Sequence, residues 1–361
     1  MKAAVLRAYH TPLEIEDLQL ADPGPHEVRV QTSACGVCHS DLHCLEGALP
    51  VPPPMVLGHE PAGVVLEVGS EVNYVQKGDH VIGCLSAFCG SCEFCLRGEP
   101  NLCGGDATGR APTDPPRIHK GDETIHQFAH LSAFAEEMLV HENALVKIRP
   151  DMPLEQAALI GCGVTTGLGA AINTARIRPG QTAVVIGCGG VGLAAIQGCR
   201  VAGAGRIIAV DMVATKLDLA QKLGATDGVN AKDGDAVATV LEMTGGGVDF
   251  SFECIGTPGT VQQAVGMIRK GGTCILVGVV PIGVGVELQP LDLVLQGKSI
   301  VGSMMGSNRF RTDMPNFVEF YLDGRLRLDE MISMRLGLDE VNTAFEQMKS
   351  GELARSVITF D

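Results

Sequence analysis

The chain has 361 residues, 45% of them hydrophobic and 19% charged, with a formal net charge of −15. That length suggests about two domains of ~100–200 residues, and the composition is that of a folded chain with a sizeable core. The acidic balance and the absence of Trp count against a nucleic-acid partner, which needs clustered cations and aromatic stacking platforms.

The opening Met1-Lys2-Ala3-Ala4-Val5-Leu6-Arg7 breaks its apolar run too early for a signal-peptide core. The most apolar later stretch, near Ala183 to Ile196, is interrupted by glycines and too short to span a bilayer. A soluble, cytoplasmic protein is expected, so thiols are expected reduced rather than bridged. The chain holds 13 cysteines, an odd number that disfavours complete internal pairing. All ten histidines lie between His10 and His141, so imidazole chemistry belongs to the first half.

The first ~150 residues read as short strands and turns. Glu27 to Gln31 alternates with period two; Val64 to Gly69 and His80 to Gly83 follow, separated by a Lys77-Gly78-Asp79 turn. Pro52-Pro53-Pro54 marks a rigid loop. The polar stretch from Asp106 to His130 is expected to be a surface loop. Beyond Gly163 strands alternate with helices: Thr182 to Ile186, a helix from Val191, Arg206 to Val210, and a helix from Thr215 to Leu223 ended by Gly224. Strands at Val248 to Glu253 and Thr273 to Val277 flank a helix near Val261 to Ile268, the pattern of parallel βαβ units. A helix near Asp339 to Lys349 and a strand at Ser356 to Phe360 close the chain.

Cys89-x-x-Cys92-x-x-Cys95-x7-Cys103 places four thiols in a short segment. Four thiolates close a tetrahedral shell around Zn²⁺ and leave no open position, so a structural zinc is expected. Free or bridged cysteines, or an iron–sulfur cluster, are the alternatives. Cys38, His59 and Cys162 offer a second set: two thiolates and one imidazole, with a fourth position left for water or substrate. An open zinc can bind an alcohol oxygen and lower its pKa. Asp41 is placed to orient the ligand imidazole, or serves as a helix cap. Glu60 can approach the metal, or is a paired carboxylate.

Gly187-Cys188-Gly189-Gly190-Val191-Gly192 matches G-x-G-x-x-G between a strand and a helix, the context of a dinucleotide loop. Gly187 allows the tight turn, Gly189 the approach of a pyrophosphate, and Gly192 the packing of helix on strand. Asp211 ends the next strand, where a carboxylate accepts from the adenosine ribose and repels a 2′-phosphate, favouring NAD. Lys216 can reach the same ribose or be a solvated helix lysine.

These motifs, with Gly58-His59-Glu60-Pro61-Ala62-Gly63, Gly161-Cys162-Gly163-Val164-Thr165-Thr166-Gly167 and Arg355-Ser356-Val357-Ile358-Thr359-Phe360, resemble in order and spacing the zinc-containing medium-chain alcohol dehydrogenase family. The resemblance covers nearly the whole chain. It implies an α/β protein: a GroES-like, mostly β catalytic domain formed by 1–163 and 305–361, with a structural-zinc lobe near 84–104. A doubly wound Rossmann coenzyme domain at 164–304 is inserted into it, with the active site in the cleft between the two.

The resemblance also implies two Zn²⁺ per chain, with Cys38, His59 and Cys162 on the catalytic ion, and NAD as coenzyme. Ser40 would take the proton of the alcohol, and His43 would pass it to solvent. His39 and Arg355 would contact the coenzyme pyrophosphate. Val279 would touch coenzyme and line the substrate pocket with Leu49, Leu85 and Met304. Several relatives carry Arg at the His39 position, so coenzyme binding here should weaken at alkaline pH. The apolar lining implies hydrophobic primary, aromatic or secondary alcohols and the matching aldehydes or ketones. A thiol-dependent formaldehyde dehydrogenase of the same fold is the alternative; it needs a charged anchor where Leu49 is apolar, a part Arg110 could take. A non-catalytic zinc-binding module is the remaining one. The Gly104 to His130 segment resembles that of dimeric members, so a homodimer is expected, with a tetramer the alternative.

Overall fold

The computed structural model describes residues 1–111, 113–351 and 354–360. The chain divides into two compact units. One comprises Met1–Gly163, Arg309–Gly324 and Ile332–Asp361; the other comprises Val164–Asn308 and Arg325–Met331.

The first unit is built on the strand Glu27–Gly36, whose alternating apolar residues bury Val28, Val30 and Ala34. It pairs antiparallel with Glu60–Val68, Glu137–His141 and Arg355–Thr359. His80–Gly83 and Leu145–Lys147 extend this sheet on one side and Ile332–Leu336 on the other. The register sets Gly36 opposite Glu60. Cys38, two residues past the end of one strand, and His59, just before the start of its neighbour, therefore leave the sheet at the same edge.

A second sheet of this unit runs in the order Glu14–Asp17, Lys2–Leu6, Met55–Val56, Glu123–Gln127, Ile118–Lys120, Gln19–Leu20. Two of those strands correct the expectation of a surface loop from Asp106 to His130. They were hidden because each is short and polar on its outer face, with only Ile118 and Ile125 turned into the core. The segment is also fastened by charge. Arg110 and Arg117 both bond the buried Glu27 carboxylate, Arg117 Nε at 2.7 Å and Arg110 Nε at 3.0 Å.

The second unit holds a six-stranded, wholly parallel sheet. Its strands are Thr182–Ile186, Arg206–Asp211, Asp227–Asn230, Val248–Glu253, Ile268–Leu276 and Ser299–Gly302. Counted along the chain they lie in the order third, second, first, fourth, fifth, sixth. This is the doubly wound arrangement, whose topological switch point falls between Thr182–Ile186 and Val248–Glu253. Helices Gly190–Val201, Ala214–Leu223, Ala236–Thr244 and Pro258–Met267 are interleaved with these strands.

Among the described residues one helix, Leu154–Thr174, is long and apolar enough to cross a membrane, and 83% of its apolar window is buried inside the protein. Its small residues serve close packing: a Cβ on Gly167 would lie 2.3 Å from the Val191 carbonyl oxygen. The helix changes to a π-helical turn at Ile160–Val164, and Cys162 sits in that turn.

Candidate active site

Cys38 caps the short helix His39–Leu45, and its backbone N–H donates to Asp41 Oδ2 at 3.2 Å. Asp41 Oδ1 also accepts from the Gly58 N–H at 3.0 Å and from His59 Nδ1 at 3.1 Å. The carboxylate is fully buried, so one aspartate both caps the helix and fixes the imidazole. His59 Nε2 is left buried without a hydrogen-bond partner, as a ligand nitrogen would be. One donor atom from each of Cys38, His59, Glu60 and Cys162 lies within 4.8 Å of the others, and all four residues are buried. Two thiols, an imidazole nitrogen and an adjacent carboxylate form a donor set that suits zinc.

The electrostatics of the set agree with a cation there. Contact with Cys162 outweighs burial and, with the His59 charge, holds the Cys38 thiol well below its usual range. Burial pulls the His59 imidazole down, but the Asp41 and Cys38 charges outweigh it and raise it to about 10. Glu60 is ion-paired with Arg355, a strand residue with only 6% of its side chain exposed. Glu60 is thus a paired carboxylate, and one of its oxygens lies within 4.8 Å of the other donor atoms.

Ser40 lies half-buried beside the set, 3.8 Å from the Cys38 sulfur. His43 follows three residues later on the same helix, so the two side chains share a face. His39 is exposed and makes an edge contact with His43, ring centres 6.5 Å apart. Leu49 and Leu85 belong to this unit. Leu49 is exposed and its N–H donates to the His43 carbonyl at 3.0 Å, whereas Leu85 packs partly buried on the core.

The four-cysteine lobe is equally well formed. The sulfurs of Cys89, Cys92, Cys95 and Cys103 lie within 4.8 Å of one another and all four cysteines are free. Backbone N–H groups point at them: Cys92 and Ser91 donate to the Cys89 sulfur at 3.2 and 3.4 Å, and Gly105 to that of Cys103 at 3.4 Å. The Ser91 and Cys92 donors bring the Cys89 thiol down to about 6, which favours the ligating thiolate. The seven remaining cysteines are also free, and all but Cys254 are buried.

In the second unit the glycine loop follows Thr182–Ile186 and opens the helix Gly190–Val201. Gly187 has φ +91°, a conformation side chains avoid, and a Cβ on Gly192 would lie 1.7 Å from the Gly187 carbonyl oxygen. A Cβ on Gly189 would meet nothing within 4 Å, so the loop is open there toward a ligand. Gly190 and Val191 begin the helix, whose free N–H groups suit a phosphate.

Asp211 Oδ2 accepts from the Cys188 N–H at 2.7 Å, which locks the carboxylate to the loop. Burial and the Asp211 charge push the Cys188 thiol up to about 12, against the Lys216 ammonium. Val279 and Met304 lie in this unit, both well exposed.

Sequence reasoning missed Glu27 with its two arginines, the Glu60–Arg355 pair and the buried Glu253. None of the three left a clear local trace: Glu253 ends a strand that already carries Asp249 and Ser251.

The region 24–150 matches the alcohol dehydrogenase GroES-like domain, and 190–322 matches the zinc-binding dehydrogenase domain. An alcohol dehydrogenase class-3 of Drosophila melanogaster is 42% identical over 99% of this chain and 97% of its own length. The chain belongs to the zinc-containing medium-chain alcohol dehydrogenase family. Within it, an S-(hydroxymethyl)glutathione dehydrogenase of Synechocystis is 40% identical over 99% of both chains. The crystal structure of benzyl alcohol dehydrogenase from Acinetobacter calcoaceticus superposes with a TM-score of 0.94 at 34% identity, over 100% of this chain and 99% of that one.

Proposed function

We propose that this protein is an NAD-linked zinc dehydrogenase that oxidises a primary alcohol group to the carbonyl level. The observation that carries this is the buried donor set of Cys38, His59 and Cys162, in which His59 Nε2 has no hydrogen-bond partner. Bound zinc would supply a Lewis acid that acidifies the alcohol, and bound NAD would accept the hydride. Asp41 accepts from Nδ1 and so turns Nε2 toward the thiols, where a bound zinc would take the place of its proton. Ser40, beside Cys38, takes the hydroxyl proton, and His43 carries it onward along the same helix face. Asp211 selects the unphosphorylated ribose, with Gly187, Gly189, Gly190, Val191 and Gly192 holding the pyrophosphate. His39 and Arg355 would contribute positive charge to that anion. Cys89, Cys92, Cys95 and Cys103 would hold the structural zinc.

For the substrate we put first the S-hydroxymethyl adduct of a low-molecular-weight thiol, oxidised to the thiol ester. The curated relatives at 40–42% identity support this, being named class-3 alcohol dehydrogenases or S-(hydroxymethyl)glutathione dehydrogenases. The free hydrophobic alcohol expected from the pocket residues becomes the second reading. Two observations favour it. Leu49 is apolar, and Arg110 is committed to Glu27, the Pro115 carbonyl and the Asp22 carbonyl, so it is not available as an anchor. The test is NAD reduction by formaldehyde with and without a panel of thiols, beside a panel of free alcohols. Strict thiol dependence supports the first reading; turnover of aromatic alcohols without thiol supports the second.

A homodimer remains our proposal. Its support is the exposed apolar side chains of Val294 and Leu295, on a helix that buries none of its residues. Sedimentation giving a tetramer or a monomer would contradict it.

A further inference from the structure

Glu253 ends the fourth strand of the parallel sheet at the switch point and is completely buried. A buried carboxylate is costly unless its position repays it through hydrogen bonds. Its Oε1 accepts from the Ile255 N–H at 2.9 Å, the Gly256 N–H at 2.8 Å and the Thr260 hydroxyl at 2.8 Å. Its carbonyl oxygen accepts from the Val277 and Gly278 N–H groups at 2.9 and 2.8 Å. One residue thus ties together the segments that follow the fourth and the fifth strands.

Those two segments touch backbone to backbone: a Cβ on Gly278 would lie 2.3 Å from the Gly256 nitrogen and 2.7 Å from Glu253 Oε2. They also reach the glycine loop. The Cys254 N–H donates to the Ile186 carbonyl at 3.0 Å, and a Cβ on Gly187 would lie 2.5 Å from Ile255 Cγ1. Glu253 Oε2 has no hydrogen-bond partner, so the carboxylate is held from one side alone. A neutral isostere would keep the shape but not the charge-assisted bonds on Oε1.

We infer that Glu253 is a positioning residue for the nicotinamide coenzyme, setting the relative placement of the 187–192, 254–257 and 277–279 loops. This rests on the assignment of those loops to coenzyme binding under the proposed function. Glu253 does not touch the reacting atoms; it acts through Ile255, Gly256 and Gly278.

The test is the affinity of the zinc-loaded enzyme for NADH, read by nucleotide fluorescence with no substrate present. Glu253→Gln should raise the Kd about tenfold, the size expected when charge-assisted hydrogen bonds on one oxygen become neutral ones. The thermal transition should stay well above the assay temperature. Thr260→Val, which removes one of the three donors, should raise the Kd about threefold and tests the same carboxylate if Glu253→Gln does not fold. A wild type that binds NADH, with both variants binding within twofold of it, overturns the inference alone. So does a lowered melting temperature with unchanged Kd. A wild type that binds neither NADH nor NADPH overturns the coenzyme assignment and the inference with it.

Discussion

Asp41→Asn removes the charge of a buried carboxylate without changing its size. The carboxylate accepts from Cys38 N at 3.2 Å, Gly58 N at 3.0 Å and His59 Nδ1 at 3.1 Å. An amide has one acceptor oxygen, so its NH₂ must face either the Cys38 donor or the Gly58 and His59 donors. At least one buried donor is then unsatisfied, which costs about 1–3 kcal/mol of stability. A loosened ligand imidazole lowers metal affinity by about 10–100-fold, equivalent to about 1.4–2.8 kcal/mol. The cysteine lobe shares no residue with this network, so its zinc should stay. The assay is zinc per chain after dialysis against graded chelator, with the unfolding midpoint recorded alongside. Wild type should hold two ions at chelator levels where Asp41→Asn approaches one. If the variant keeps both at wild-type chelator levels, Asp41 does not orient His59 and the reasoning fails.

Other predictions bear on the proton route, the acid limit and the substrate. Ser40→Ala should lower kcat at least about 100-fold, the scale of a lost proton acceptor, with both zinc ions retained; near wild-type turnover would refute the Ser40 route. Burial pushes the Glu27 carboxyl up, but Arg110, the Gly24 N–H and Arg117 outweigh it and bring it from 4.5 to about 2. Because the folded value is the lower one, its contribution is present above pH 4.5 and is lost as pH falls toward 2. Glu27→Gln should therefore flatten the decline of stability with acid in that window; denaturant midpoints from pH 7 to 3 that fall as steeply as wild type would contradict this. Arg110→Gln should lower stability while leaving the KM for any thiol adduct within about twofold, since uniform substrate binding would be untouched. A large rise in that KM would show that Arg110 is the anchor after all.

How legible all this was depended on whether the cause was local. Gly187 and Gly192 were readable because a positive φ and a close backbone contact each demand glycine inside a strand–loop–helix frame. The four-cysteine lobe was readable because its spacing is short and its chemistry narrow. The second donor set was harder. Cys38, His59 and Cys162 are distant in sequence, and they converge through strand register and a π-helical turn that no pattern announced. Glu27 was invisible because its two arginine partners lie 83 and 90 residues away. The strands Ile118–Lys120 and Glu123–Gln127 were missed because pairing and charge hold them, with little apolar periodicity to read. The substrate is the least legible feature: Leu49 is apolar and suggests free alcohols, and the thiol adduct stands first in our proposal only through relatives named S-(hydroxymethyl)glutathione dehydrogenase.

The most direct test of the central claim is one absorbance trace. Zinc-loaded protein, NAD, and either a free alcohol or formaldehyde with a thiol are mixed, and NADH is followed beside a Cys162→Ser variant. The account predicts NADH formation by wild type on at least one of these substrates, with NAD preferred over NADP and the variant inactive. Reduction of neither coenzyme by any of them, with two zinc ions measured per chain, would contradict it.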